Sequence, residues 1–282
     1  MIDRLGNRAS ARAAVAGLAA LLALSAAAAP RAASASDAPA LVPHEARYDL
    51  SLLSLQSANR GSAGGLFLVR LERACEEWRL DTDLQVSIET EDQGETTIAS
   101  RSRYEETIAD AGRSGTLTFR QRQEVNGFPV SEVRGEAKRT AEGGRVRFER
   151  PAAREVALPT GVQFPISGAQ ASLAALFSGQ ALVSQRLFDG GEEGALIAVD
   201  LAAGAPEPPP ETVAGDAALL RGRMLRVVTA FYAVDAPDSE PLSTYIADIL
   251  ENGVTTRLTI DVGLASVEAE LSAVRRLPRP DC

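Results

Sequence analysis

Cys75-Glu76-Glu77-Trp78-Arg79-Leu80-Asp81-Thr82-Asp83-Leu84-Gln85-Val86-Ser87-Ile88 is the stretch that decides the fold. Trp78, Leu80, Thr82, Leu84, Val86 and Ile88 fall on one side of an extended chain. Arg79, Asp81, Asp83, Gln85 and Ser87 fall on the other. Strict alternation of this kind is a β-strand with one dry face and one wet face. The entrance to the strand carries one of the chain's two cysteines, and the other, Cys282, is the last residue.

The same signal extends in both directions. Upstream, Tyr48, Leu50 and Leu52 alternate with polar neighbours, Asn59-Arg60-Gly61 turns the chain, and Gly64-Gly65 leads into Leu66–Leu71. Downstream, strands are predicted over 96–107 and 115–124. Asn126-Gly127 then gives the strongest short hairpin signal, since both residues accept the positive φ of a type I′ turn. Val146 and Phe148 continue the pattern, and 151–159 reads as a loop or edge strand. Further strands are predicted over 182–188, 196–201, 224–234, 245–250 and 254–262, the last two forming a hairpin about Asn252-Gly253. A final strand places Val267, Ala269, Leu271 and Ala273 on one face.

One helix interrupts the strands. Ser167 is placed to cap it, with Gln170 closing a capping box. Leu173, Leu176 and Phe177 then share a face, and Gly179 ends it. Its polar side, Gln170, Ser172 and Ser178, is short, so the helix needs cover, and the concave side of the sheet supplies it. Residues 205–215, with Pro206, Pro208, Pro209 and Pro210, read as an exposed loop rather than a linker, because strands resume beyond them. About a dozen strands joined mostly by short turns make an antiparallel sheet that must curl, close or split. A barrel, an incomplete barrel and a sandwich all satisfy this.

The N-terminal segment stands apart. Arg4, Arg8 and Arg12 precede an uncharged run of Ala, Leu and Gly, and Ala33-Ser34-Ala35 follows. This is the layout of a cleavable secretory signal over 1–35; the alternative is an N-terminal membrane anchor. Residues 36–43 are then a disordered mature N-terminus, and 44–282 a single β domain. Removing Asp3 and four arginines moves the net charge from −9 to −12. With no basic run, nucleic acid and anionic membrane surfaces are not indicated as partners. No later segment is long and apolar enough to span a bilayer. Two cysteines in an exported chain argue for a Cys75–Cys282 disulfide, with two unpaired thiols as the alternative.

Little catalytic chemistry is visible. His44 is the sole histidine, so a Ser-His-Asp triad would have to use it, and histidine-cluster metal binding is not available. A strand-entrance residue with a local hydrogen bond is its simpler reading. Asp81 and Asp83 share the wet face of a strand, Glu76-Glu77 and Glu91-Asp92 sit at turns, and Asp189 precedes Gly190. All read as solvated or turn carboxylates rather than a glycosidase pair. No catalytic residue, cofactor or metal ligand is assigned. Trp78 and the helix residues Leu173, Leu176 and Phe177 are the candidates for facing a ligand or partner, with core packing as the alternative.

Three patches taken together resemble the EipB family of periplasmic cell-envelope-integrity proteins. They are Leu41-Val42-Pro43-His44-Glu45-Ala46-Arg47-Tyr48-Asp49-Leu50, Cys75-Glu76-Glu77-Trp78, and the run from Tyr245 through Glu251-Asn252-Gly253 to Leu277-Pro278-Arg279-Pro280-Asp281-Cys282. Leu158-Pro159-Thr160-Gly161-Val162-Gln163-Phe164-Pro165 and Leu187-Phe188-Asp189-Gly190 also fit. The resemblance implies an all-β chain with one short helix, folded as a single antiparallel β-spiral or incomplete barrel with the helix at its open side. It implies a disulfide mapping onto Cys75 and Cys282. It further implies a periplasmic, non-enzymatic role in envelope integrity, through an envelope protein or a lipid-like ligand. Its outline is similar to that of the periplasmic lipoprotein carriers, which makes lipid carriage a second reading. A carboxylate hydrolase using Asp189 is a third. The chain departs from the family at Ile166-Ser167-Gly168 and at Glu77, and it is poor in aromatic residues.

Overall fold

Alternation is obeyed from the first described strand. In β1 (His44–Leu55), His44, Ala46, Tyr48 and Leu50 are buried, while Arg47, Asp49 and Ser51 face solvent. The computed structural model describes residues 41–279 except 57–59, 93, 193 and 237–239. Cys282 and the leader anticipated over 1–35 lie outside the described residues. The packed part begins ahead of His44: Leu41 is buried, and Val42 N–H donates to Asn252 O at 2.9 Å.

Successive strands follow at short intervals: β2 (Gly61–Ala74), β3 (Glu77–Thr90), β4 (Gly94–Ala109), β5 (Ser114–Val125), β6 (Phe128–Thr140), β7 (Gly143–Arg150) and β8 (Arg154–Leu158). The helix α1 (Pro165–Phe177) comes next. After it run β9 (Leu182–Leu187), β10 (Leu196–Ala202), the two-residue β11 (Ala214–Gly215), β12 (Met224–Ala233), β13 (Ser243–Leu250), β14 (Thr255–Asp261) and β15 (Ala265–Arg276). All lie in one sheet, in the order β8-β7-β6-β5-β4-β3-β2-β1-β15-β14-β13-β12-β10-β9, with β11 pairing off this path, parallel to β15. Every pairing along the path is antiparallel, and β1 is the pivot, bonded to β2 on one side and β15 on the other.

Chain order and sheet order therefore agree around a ring with one rung missing. β8 and β9 are sequence neighbours and would close the ring, but they are not paired. The connection between them is α1. This is an incomplete barrel with its helix at the open side, as the resemblance implied.

Turn chemistry holds in part. Asn126 and Gly127 have φ of 51° and 78° and join β5 to β6 as a two-residue turn. The Asn252-Gly253 hairpin differs. Its loop is longer, with Gly253 N–H donating to Leu250 O and Asn252 Oδ1 accepting from Val254 N–H. Asn252 Nδ2 also donates to Leu219 O at 2.8 Å, so this asparagine braces neighbouring loops as well as turning its own.

The helix begins earlier than its capping signal suggested. Pro165 occupies its first turn, where a missing N–H costs nothing, so Ser167 lies inside the helix at N3, and Gln170 plays no capping part. Ser167 Oγ accepts from Phe164 N–H at 3.3 Å, so it bonds back to the residue ahead of the helix rather than forward to a later amide. The C-terminal end is as read: Gly179 has φ of 103°, and Gln180 N–H returns to Ala175 O at 3.1 Å.

Candidate functional site

The gap between β8 and β9 is where the chain departs from a closed barrel, and α1 fills it. Three apolar clusters meet there or nearby. One lies within the curl of the sheet, with Tyr48, Leu50, Val86, Ile88, Val267 and Leu271 among its members. A second joins β5–β7 to Phe164 and Phe188. Phe188, fully buried, stacks edge-to-face on Phe119 at 5.3 Å, Phe148 at 6.2 Å and Phe164 at 6.4 Å. The third belongs to the helix: Ile166, Leu173 and Phe177 pack with Leu41, Leu71 and Trp78, and against Leu225 and Ile249 from β12 and β13. The helix thus touches both arms of the curled sheet.

Trp78, Leu173, Leu176 and Phe177 are all buried. Trp78, Leu173 and Phe177 lie in the helix cluster together, so the residues singled out as ligand- or partner-facing are brought into the interior rather than onto the outside. Arg73 lies over the Trp78 ring at 5.3 Å, and Arg223 over the Phe177 ring at 5.3 Å, closing the cluster with cation–π contacts.

Polar groups fix the helix in the gap. Glu106, on the inward face of β4 and fully buried, accepts from the helix amides Ile166 N–H at 2.7 Å and Ser167 N–H at 3.1 Å. A carboxylate at a helix N-terminus satisfies orphan donors and complements the positive end of the dipole. Arg139 of β6 stands 4.0 Å away, also buried. It donates to Gly112 O, Val162 O, Gln163 Oε1 and Ser167 Oγ at 2.7 to 3.2 Å. Burial pushes the Glu106 carboxyl above its ordinary range, against the pull of the two amides and of Arg139. Burial likewise lowers Arg139, against the pull of Glu106. On the opposite arm, Ser172 donates to Asp200 at 2.6 Å, and Thr229 donates to the other oxygen of Asp200 at 2.6 Å. Ser172 is buried and is not part of an exposed polar side of the helix, as its polarity had suggested.

Among the described residues, the main-chain bonds across the gap come from the connection that follows β8 rather than from β8 itself. Gln163 N–H donates to Arg186 O at 2.8 Å and Phe188 N–H to Gln163 O at 2.9 Å, an isolated parallel bridge beside β9. Side chains supply the rest of the closure.

The remaining sequence candidates are scattered. His44 is buried at the start of β1 with Nδ1 2.7 Å from Val42 O, the local bond anticipated for it, and burial lowers its pKa. Asp81 and Asp83 face outward on β3, paired with Arg103 at 2.5 Å and Arg101 at 3.2 Å. Asp189 Oδ1 accepts from Gly191 N–H at 2.8 Å, as a turn residue does. Cys75, with φ of 59°, sits in the β2–β3 turn. It borders a surface hollow of about 790 Å³ lined also by Arg73, Glu76, Glu77, Thr107 and Arg279. Among the described residues no cluster of three or more metal-ligating side chains occurs, and no helix is long and apolar enough to cross a membrane.

Glu106 and Arg139 escaped the sequence reading. The available signal was a charge on the dry register of a strand: Glu106 falls in line with Ile98, Tyr104 and Ile108, and Arg139 with Val133 and Ala137. Opposite charges on two inward faces require partners inside.

A family model described as EipB-like matches residues 35–278. The chain belongs to the EipB-like family. Among relatives of this EipB-like chain is the cell envelope integrity protein EipB of Brucella abortus, 27% identical over 251 residues, covering 85% of each chain. A crystal structure of a beta-barrel-like protein of a domain of unknown function, also from Brucella abortus, superposes with a TM-score of 0.71 at 21% identity. It covers 84% of this EipB-like chain and 99% of the other.

Proposed function

We propose that this protein is a non-enzymatic factor of the periplasm that maintains cell-envelope integrity by binding an envelope protein or a lipid-like ligand. The relative named for envelope integrity supports the role. The observation that carries the binding reading is the gap between β8 and β9. A curled sheet lined with apolar side chains is closed there by a helix, held through side chains and an isolated bridge rather than a strand ladder. Glu106 and Asp200, the buried carboxylates at the gap, are engaged in holding the helix, which supports a binding use of the interior.

Export, signal cleavage and a Cys75–Cys282 disulfide belong to the same proposal. Arg279 borders the hollow beside Cys75, and the three residues from there to Cys282 span at most about 10 Å. That is a reach compatible with a bridge.

The test is deletion of the gene, followed by challenge with detergent or a cell-wall antibiotic, with complementation by the intact gene. Raised sensitivity restored by complementation is expected; unchanged sensitivity refutes the role. Lipid carriage is the second reading, favoured by the apolar wall of Leu71, Trp78, Leu225 and Ile249 that a displaced helix would uncover. Native mass spectrometry of protein drawn from its own cells would show a co-purifying acyl ligand. Protein of bare polypeptide mass that also extracts no lipid from membranes counts against carriage.

A further inference from the structure

The outer face of β9, β10, β12 and β13 is apolar where other parts of the sheet are charged. On β3 and β4 the outward positions include Asp81, Asp83, Arg101 and Arg103, joined in cross-strand ion pairs. Here Leu182, Leu201, Val228 and Ile246 stand directly opposite one another, one to a strand. The next outward row is Ser184, Val199, Ala230 and Thr244, and the third holds Arg186, Ile197 and Tyr232. These three pairings run without a register shift, so the rows share one face. It is the face away from the helix: the alternate residues Ala198, Asp200 and Val227 are buried, and Asp200 receives the Ser172 hydroxyl of α1. Leu182 is 54% exposed, Ile246 41% and Leu201 40%.

Charge is confined to the borders. At one end the ladder Arg226, Asp248, Arg257 and Glu270 crosses four strands, with Arg226 2.7 Å from Asp248 and Arg257 2.7 Å from Glu270. At the other end Arg186 holds the corner on β9, and Asp235 lies in the turn that leads from β12 to β13. Both are exposed, and neither has an ion-pair partner among the described residues. Val234 and Leu242, exposed at the same turn, extend the apolar surface. Four strands about 4.8 Å apart and seven residues at about 3.4 Å each give a face of roughly 19 Å by 24 Å.

We propose that this face is the contact between two copies of the chain, packed sheet to sheet about a two-fold axis that runs along the strands between β10 and β12. A two-fold contact must be complementary to itself, and the three rows are. The axis sets Leu182 of each copy over Ile246 of the other and Leu201 over Val228. It sets Ser184 over Thr244, hydroxyl against hydroxyl, and Val199 over Ala230. It brings Arg186 of each copy beside the turn that carries Asp235 of the other, so the two unpaired charges meet with opposite sign. The strands stay aligned across the contact, as in sandwiches. A chain of net charge −9 repels its own copies over most of its surface, and the uncharged rows are where they can approach. Two such faces cover about 900 Å², the size of weak, reversible contacts rather than obligate ones. A dissociation constant of order 10–100 µM follows. The contact is separate from the helix-filled gap and stands or falls without the envelope-integrity reading.

The experiment is sedimentation velocity on the protein recovered from its own cells, from about 2 µM to about 500 µM, a range that brackets this constant. The weight-average mass should rise from one chain toward two. Leu182→Arg and Ile246→Glu should each raise the dissociation constant more than about tenfold, because each sets a charge against an apolar side chain. Mixed together, the two variants should pair again, since the axis places position 182 of one against position 246 of the other. Arg186→Glu should weaken the dimer about threefold. These residues are exposed, so melting temperatures should stay within about 2 °C of the parent. A single-chain mass at every concentration overturns the proposal, as does a dimer that neither substitution weakens. A mixture that stays monomeric overturns the axis and with it the contact as described. A monomeric parent that binds phosphatidylcholine vesicles and loses them on Ile246→Glu would make the face a lipid contact instead. A monomeric parent that carries another polypeptide, lost on the same change, would assign the face to a different protein.

Discussion

Glu106→Ala removes the acceptor that holds the first turn of α1. Two amides, Ile166 N–H and Ser167 N–H, lose their partner inside the protein. A buried donor left unsatisfied costs about 1–3 kcal/mol. Arg139 is left with its charge buried and no anion beside it, a change that costs about 3–5 kcal/mol when nothing compensates. Here something does: four neutral oxygens already accept from its guanidinium. We therefore expect a net loss of about 4 kcal/mol, near the middle of these ranges. At roughly 2–4 °C per kcal/mol for a chain of this size, the midpoint of thermal unfolding falls by about 8–16 °C. Glu106→Gln keeps one carbonyl acceptor and loses about half as much.

Urea unfolding followed by Trp78 fluorescence reports directly on the helix cluster, since Trp78 packs with Leu173 and Phe177. The pH dependence has a defined sign. Burial raises the Glu106 pKa in the folded state, so the folded protein holds its proton more tightly than the unfolded chain does. The stability linked to this group is present below the unfolded value of about 4.3 and is lost as pH rises through the folded one. The deficit of Glu106→Gln relative to the parent should accordingly shrink from pH 4 to pH 7. An alanine variant within 0.5 kcal/mol of the parent, or a glutamine deficit that grows with pH, refutes the clip as described.

Further outcomes follow from the same structure. His44 is buried with a lowered pKa, so its contribution is present above the unfolded value of about 6.5 and is lost as pH falls toward the folded one. Its imidazole proton resonance, the only one of its kind in the chain, should titrate below 6.5, and a midpoint above 7 would contradict the burial. Phe188→Ala empties a site between three phenylalanine rings and should cost about 3–5 kcal/mol by calorimetry; a loss under 1 kcal/mol would mean that the β9 segment does not brace β5–β7. Cys75→Ser should cost up to about 5 kcal/mol if the bridge closes the loop to Cys282. Alkylation of both thiols in native, unreduced protein would remove that bridge from the proposal.

Strand positions were legible because alternation is a local property, and the outward Asp81 and Asp83 and the buried Trp78 follow from parity alone. Cross-strand neighbours were not, because pairing depends on register. The arginines at 101, 103, 120, 122 and 134 look dispersed. Pairing β4 to β5 to β6 puts these residues side by side. The helix start was missed for a related reason. Ser167 with Gln170 is a sound capping pattern, but Glu106, sixty positions upstream, supplies the acceptor that a local cap would have supplied. A capping signal judged within one turn cannot see a carboxylate delivered by a distant strand.

The position of the helix follows from the topology rather than from its own composition. Hairpin connections run from β1 to β8, and the order resumes outward from β9 to β15. The pairing of β1 with β15 joins the two ends of this series. Once that pairing is made, and with β11 lying off the path beside β15, β8 and β9 are the consecutive strands of the path left unpaired. A two-residue turn there would let β8 and β9 pair and close the ring. A connection containing thirteen helical residues cannot act as such a turn, and its apolar face requires burial. The helix both prevents closure and occupies the space that closure would have removed. Shortening this connection to a turn should therefore yield either a closed barrel or an aggregating open sheet. Retention of an open, monomeric sheet with unchanged Trp78 emission would show that the gap is held by the strands themselves.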